Sequence, residues 1–215
     1  MTRVAVLASG GLDSSVLLYD LASTYDVAPL YIEKGLAWET EERRALERFV
    51  DRLDHPRVSA PVTLPLLVDG LYGKHWSVTG EGVPAADEPD ENVFLPARNI
   101  LLFTAAAIWC LANGVHHIAV GSLEGNPFPD ATDEFFADLA RLLSTALSHE
   151  ITIVAPYRHL TKKAVIKQFQ HLPLALTLTC NAPHSGLHCG GCNKCYERQQ
   201  AFIKAKVQDQ TPYAQ

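Results

Sequence analysis

Val4-Ala5-Val6-Leu7-Ala8-Ser9-Gly10-Gly11-Leu12-Asp13-Ser14-Ser15 is a short apolar run broken by two glycines and resumed by a different pattern. Residues 4–8 suit a buried strand, the run stops at Ser9-Gly10-Gly11, and over residues 14–22 apolar residues recur at helical spacing. Strand, glycine turn and helix follow in that order. Moving outward, residues 27–32 predict a strand, residues 39–53 an amphipathic helix with Leu46, Phe49, Val50 and Leu53 inward, and residues 62–67 a strand. Residues 98–112, 132–147 and 161–169 predict helices, and residues 116–121 and 151–155 predict strands. Repeated β-then-α order implies a parallel sheet covered by helices on both faces, a doubly wound α/β fold.

Open parallel sheets bind ligands where a strand's carboxyl end leads into a helix amino terminus, and residues 8–15 lie at such a place. Adjacent Gly10 and Gly11 let the backbone approach an anion. Successive N–H groups form a nest for phosphate oxygens, and the hydroxyls of Ser9, Ser14 and Ser15 add hydrogen bonds. Asp13 beside phosphate calls for a cation, and magnesium uses carboxylate together with phosphate oxygens. The lysine that closes a G-x-x-x-x-G-K-[ST] loop is missing, so the turn is not of that kind. A tight turn with helix-capping serines is the plainer alternative.

The chain has 215 residues, enough for one substantial core and a small appendage. Residues 1–171 carry the βα rhythm. Residues 172–215 lose it, and there a cysteine cluster precedes a helix predicted over residues 196–207. Residues 80–90, rich in Gly, Pro and acidic side chains, read as a loop, placed as an exposed insertion in preference to an active-site loop. A hydrophobic fraction of 47% and a charged fraction of 20% are ordinary for a folded globular protein. A net charge of −6 gives little attraction for phosphate backbones, which disfavours a nucleic-acid partner. No stretch has the length and apolarity of a membrane span, and the chain opens without a secretion signal, which points to a cytoplasmic address.

Cys180, Cys189, Cys192 and Cys195 contain two C-x2-C steps sharing Cys192, with Gly190 and Gly191 allowing a sharp turn. Four thiolates complete tetrahedral zinc and leave no position for a water nucleophile, so the metal is expected to be structural, one per chain. His184 or His188 replacing a cysteine, a disulfide framework and an iron–sulfur cluster are the alternatives. Cys110, in an apolar helix, reads as core.

Ser9-Gly10-Gly11-Leu12-Asp13-Ser14 resembles the Ser-Gly-Gly-x-Asp-Ser signature of PP-loop ATP-pyrophosphatases, which have an adenine nucleotide alpha hydrolase-like fold. Cys180, the run from His188 to Cys195, then Glu197-Arg198 and Ala201-Phe202 are similar to the zinc segment of the 7-cyano-7-deazaguanine synthase family. Pro96-Ala97-Arg98-Asn99 is similar to that family's Pro-Gly-Arg-Asn, Pro129-Asp130 with Glu134-Phe135 to its Pro-Asp-x-x-x-Glu-Phe, and Leu160-Thr161-Lys162 to its triphosphate lysine motif. The resemblance implies a pyrophosphate cradle at Ser9 to Ser14 within an ATP-binding set of Ala8 to Ser15 and Lys162, with Asp13 and Lys162 catalytic. It also implies a homodimer, and an acyl-adenylate that ammonia converts to an amide before a second ATP drives nitrile formation. Arg98, Asn99 and Asp130 are the candidate substrate-binding residues, Arg98 and Asn99 for phosphate or the small carboxylate substrate and Asp130 for orienting the amine nucleophile or the substrate's ring nitrogens.

The chain also departs from that pattern. The family's Tyr-Gly-Gln-Arg-His is replaced by Glu33-Lys34-Gly35-Leu36-Ala37-Trp38-Glu39, its Cys-Arg after the Pro-Asp pair is Ala131-Thr132, and its Tyr after the first zinc cysteine is Asn181. Losing an Arg matters because a guanidinium is the natural bidentate partner of a carboxylate. Lys163 competes with Lys162, Asp130 also reads as a loop-capping residue, and Trp38 reads as buried against the sheet or stacked on a purine-like ring. Without a glutaminase module in the sequence, free ammonia is the expected nitrogen source. A tRNA-modifying enzyme of the same superfamily and a zinc-ribbon binding module are the competing functions, and pyrophosphate release separates the last from the enzymes.

Overall fold

The computed structural model describes residues 2–214, with the backbone alone at Asp69 and Asp90; Met1 and Gln215, the outer ends of the two expected units, lie outside the described residues. Five strands, β1 Arg3–Leu7, β2 Asp26–Glu33, β3 Val62–Pro65, β4 His117–Val120 and β5 Thr152–Val154, form one sheet in the order β3-β2-β1-β4-β5. Every pairing is parallel. The helices are α1 Leu12–Leu21, α2 Glu39–Leu53, α3 Asp69–Tyr72, α4 Trp76–Thr79, α5 Arg98–Asn113, α6 Asp133–Leu147, α7 Lys162–Gln168 and α8 Asn193–Ala205.

Alternation along β1 divides the core. Val4 and Val6 face one layer with Val16 and Leu17 of α1, Phe49 of α2, Ile166 of α7 and Phe202 of α8. Ala5 and Leu7 face the other layer with Phe103 of α5 and Phe136 of α6. Side chains of a strand point to opposite faces in turn, so a five-residue central strand buried on both sides must be apolar throughout its interior. Cys110 is fully buried in the second layer, as read from sequence, and burial pushes its thiol up to about 12.

The boundaries differ from the sequence reading where tertiary bonds intervene. β3 stops at Pro65 instead of residue 67 because its partner β2 ends at Glu33, which still receives the Leu66 N–H at 2.7 Å. Thr132 and Thr161 sit at helix N-caps, accepting from Phe135 N–H at 3.1 Å and Ala164 N–H at 3.2 Å, so α6 and α7 start one residue later. The last helix starts at Asn193, ahead of the expected residue 196, because Cys192 is its N-cap and the cysteine turn feeds directly into it. Residues 80–90 are largely exposed, yet they do not stand off as an insertion. Ala85 bridges to Cys192, the Asn193 N–H donates to Pro84 O at 3.0 Å, and Asn193 Nδ2 donates to Glu88 O at 2.7 Å. No helix of the described residues is long and apolar enough to cross a membrane.

Candidate active site

Strand order reverses between β1 and β4, and a cavity of about 340 Å³ opens beyond their carboxyl ends. This is the crevice where open α/β sheets take ligands. The loop after β1 enters it. Ser9 N–H donates to Ser14 Oγ at 3.3 Å, Gly11 N–H to Ser9 Oγ at 3.3 Å, and Ser14 Oγ to Gly11 O at 3.2 Å, so two of the serine hydroxyls brace the loop. The first N–H groups of α1 have no intrahelical acceptor and carry the positive end of the helix dipole.

Ala8, Ser9, Gly11, Leu12, Asp13 and Ser14 line the cavity. Gly10 and Ser15 do not line it. Gly10 has φ +76°, and a Cβ there would stand 2.5 Å from Glu42 O and 2.9 Å from Leu46 N. Its close neighbour is therefore α2, not a ligand, and that packing excludes any side chain. Ser15 is fully buried, its hydroxyl without a partner among the described residues. Across the crevice Gly121, just after β4, brings its backbone against the loop; a Cβ there would stand 3.0 Å from Asp13 C.

A chain of alternating charges crosses the cavity. Lys162 Nζ lies 3.3 Å from Asp13 Oδ2 and also pairs with Glu197, whose other oxygen is 2.8 Å from Lys194 Nζ. Burial raises the Asp13 carboxyl above the ordinary carboxylate range, with Lys162 pulling the other way. For Lys162 burial acts downward, but Asp13 and Glu197 outweigh it and hold the ammonium above its ordinary value. At Glu197 burial acts upward, yet Lys162 and Lys194 bring the carboxyl down to about 2. Asp13 Oδ1 is buried without a hydrogen-bond partner among the described residues. A partnerless carboxylate oxygen beside a helix amino terminus is donor chemistry that fits magnesium arriving with phosphate oxygens.

Around the other end of the cavity lie Arg98, Asn99 and Asp130. Asp130, on a 3-10 turn at Pro129–Ala131, accepts from Asn99 N–H at 3.1 Å through Oδ2, and its carbonyl accepts from Asn99 Nδ2 at 2.7 Å. The buried Asp130 thus caps α5 from another segment. Arg98 forms no ion pair among the described residues. Thr132, where the family pattern has Arg, is exposed as the α6 N-cap and does not line the cavity. Trp38 is buried and stacks on Trp76 with centroids 5.5 Å apart, and Phe94 stacks on Phe128 at 5.1 Å; all four rings border the cavity. Trp38 is buried in a small cluster with Leu36 and Leu95 instead of against the sheet, and its stacking partner is another indole.

Sequence reasoning quoted Lys194 and Glu197 within a motif but gave them no role, and it passed over Glu42 and Trp76. Lys194 and Glu197 are spaced i,i+3 on α8, which reads as a solvated pair until α7 delivers Lys162 alongside. Lys163 forms no ion pair among the described residues, whereas Lys162 reaches Asp13.

The four thiols of Cys180, Cys189, Cys192 and Cys195 lie within 4.8 Å of one another, with 4.0 Å between Cys180 and Cys192 and 3.8 Å between Cys189 and Cys195. Four ligands at zinc–thiolate length around a tetrahedron stand about 3.8 Å apart, so the cluster fits one zinc ion. All are free thiols, which removes the disulfide alternative. Neither His184 nor His188 joins the cluster. His188 Nε2 accepts from Thr179 N–H at 2.9 Å, and burial lowers the imidazole to about 4. Next to the cluster, fully buried Arg198 donates to Thr177, Thr211 and Leu174 O at 2.7–3.0 Å, tying α8 to the segments on either side.

Comparison with known proteins gives the same picture. Residues 3–206 match the family of queuosine biosynthesis protein QueC. A 7-cyano-7-deazaguanine synthase of Pyrococcus abyssi is 30% identical, covering 99% of this chain and 98% of its own. One from Desulfitobacterium hafniense is 30% identical, covering 93% and 91%. Among solved structures, a predicted subunit of a tRNA methyltransferase from Methanocaldococcus jannaschii covers 77% of this chain and 72% of its own, with TM-score 0.50 and 16% identity, a likeness of fold alone.

Proposed function

The chain belongs to the family of queuosine biosynthesis protein QueC, and on that footing we propose that it makes 7-cyano-7-deazaguanine from 7-carboxy-7-deazaguanine, ammonia and ATP. The observation that carries this reading is the placement of Asp13 and Lys162 together at the switch point, at the mouth of the loop formed by residues 8–14. The loop and the α1 amino terminus receive the β- and γ-phosphates, and Lys162 offsets the charge that gathers on pyrophosphate as the bond to the α-phosphorus breaks. Because the site is recessed, that interaction is worth more than it is in water.

The substrate carboxylate attacks the α-phosphorus and pyrophosphate leaves, giving an acyl-adenylate. Ammonia displaces AMP to form the amide; a second ATP activates the amide oxygen, and loss of AMP leaves the nitrile. Arg98 at the start of α5 holds the carboxylate in place of the Arg missing at residue 132, and the Asn99–Asp130 bracket fixes where α5 begins. Asp13 would hold magnesium arriving with ATP, and the ion would supply Lewis-acid neutralisation of phosphate charge there. Cys180, Cys189, Cys192 and Cys195 would hold zinc, which would contribute folding free energy and fix the turn from which α8 starts. The unit formed by residues 1–171 does the chemistry, residues 172–215 brace it, and the protein works as a cytoplasmic homodimer without nucleic acid.

ATP–pyrophosphate exchange tests the reading. Exchange dependent on 7-carboxy-7-deazaguanine, with nitrile appearing by mass spectrometry when ammonium is added, supports it; exchange with other carboxylates but none with this one overturns it. Arg98→Ala is expected to weaken binding of that carboxylate by about 1.5–3 kcal/mol, the contribution of a hydrogen bond to a charged group.

A further inference from the structure

Among the described residues four carboxylates line the cavity: Asp13, Glu42, Asp130 and Glu197. Three of them are committed. Asp13 and Glu197 are paired with Lys162, and Asp130 caps α5. Glu42 is different. Its single side-chain hydrogen bond comes from Tyr31 Oη to Oε2 at 3.1 Å, and among the described residues no cation stands within ion-pair distance. Lys34, the cation that acts most strongly on Glu42, gives its ammonium to Glu39 at 2.8 Å and to Ile32 O at 2.7 Å.

The position of Glu42 is also fixed against the ATP loop. Its backbone carbonyl packs on Gly10 so closely that no Cβ fits between them, which holds the first turn of α2 beside the loop. Tyr31 is buried, and its hydroxyl also donates to Glu39 O at 3.2 Å, so the residue that orients the Glu42 carboxylate is itself anchored. An uncommitted carboxylate facing a recessed cavity beside the place where an adenylate forms suits a small cation that must lose a proton there.

We propose that Glu42 receives the nitrogen nucleophile as ammonium and accepts its proton as it becomes ammonia. The inference rests on the adenylation reading above. One N–H bond of ammonium breaks and its proton passes to the Glu42 carboxylate. The freed lone pair forms the C–N bond to the acyl carbon, the acyl C–O bond breaks with its electron pair leaving on AMP, and the second surplus proton leaves to water. Burial raises the Glu42 carboxyl, with Lys34 and Arg98 opposing and Glu39 adding to it, in keeping with a group that takes a proton. The charged and titratable groups around it are Tyr31 and Lys34 from β2 and its end, Glu39 on α2, and Arg98 on α5.

The test separates the two halves of the reaction. Wild type, Glu42→Gln and Glu42→Asp are assayed for ATP–pyrophosphate exchange with 7-carboxy-7-deazaguanine, then for turnover with ammonium chloride or with hydroxylamine, which is already neutral at the assay pH. Glu42→Gln is expected to keep exchange and hydroxylamine turnover while ammonium-dependent turnover falls on the order of 10²-fold, the contribution of a positioned general base. Glu42→Asp, which keeps the charge, is expected to restore part of it with a raised KM for ammonium. Equal loss with both nucleophiles, or a raised KM for the deazaguanine carboxylate, overturns the assignment and marks Glu42 as a substrate-binding or structural residue. Should Glu42→Gln fail to fold, Glu42→Asp decides: an unchanged KM for ammonium overturns the proposal. Absence of exchange in wild type is the separate signature of a failed adenylation reading, and it removes the basis for this one too.

Discussion

Glu197 and Lys162 form an ion pair that joins the cysteine segment to the ATP loop. Glu197 lies on α8 just past Cys195, and Lys162 opens α7 and reaches on to Asp13. The thiol cluster sets where α8 begins, α8 sets Glu197, and Glu197 holds the lysine. Glu197→Gln is therefore expected to lower ATP-dependent turnover about 10- to 100-fold, in line with about 1.5–3 kcal/mol for a charged hydrogen bond, while bound zinc stays unchanged. Unaltered kinetics would remove Glu197 from the site.

The same pair has a pH signature. Lys162 and Lys194 hold the Glu197 carboxyl down at about 2 against an ordinary 4.5. A carboxylate lowered on folding contributes stability above its unfolded value and loses that contribution as pH falls through the folded value. The contribution is full above about 4.5 and fades towards about 2. Thermal melts of wild type and Glu197→Gln should converge over that window; a gap that stays constant would contradict it.

Asp13 runs the other way. Burial raises its carboxyl, so in the free protein its charged form costs stability at neutral pH, a cost relieved as pH falls and the group protonates. Asp13→Asn is expected to melt at or above the wild-type temperature at pH 7 without ATP, while turnover falls on the order of 10²-fold or more, as when one preorganised electrostatic group is removed. A lowered melting temperature with activity kept would reverse both statements.

Cys192→Ser should reduce zinc from about one ion per chain, the content of a four-thiolate site, and lower thermal stability, because a structural metal site contributes to folding. Since Cys192 also caps α8, the loss should extend to ATP turnover through Glu197. Metal analysis together with melting curves checks both; a metal-free variant with wild-type stability and turnover would sink the structural role.

Ala97 adopts φ +60° at the N-cap of α5, a left-handed conformation that costs an L-residue about 1–2 kcal/mol relative to glycine. The related motif carries Gly there. Ala97→Gly is expected to stabilise the protein by about 1 kcal/mol, net of glycine's greater freedom when unfolded. A chemical denaturation midpoint that moves down would count against strain at this residue.

Much of this protein was determined by the sequence alone. The strand–glycine–helix start, the βα alternation, the exact span of α2 over Glu39–Leu53 and the grouping of four cysteines all rest on local periodicity and short spacing, which a single chain displays directly. Only the tertiary structure decided which charges meet. Glu197, Lys162 and Asp13 belong to three elements, and an ion pair between them leaves no periodic trace in any of those elements. The same holds for Gly10, whose need for a bare backbone comes from α2 pressing on it, and for Asp130, which caps a helix that starts far upstream in the chain. Local propensity is written within a few residues, whereas proximity across the switch point depends on how the sheet orders its strands.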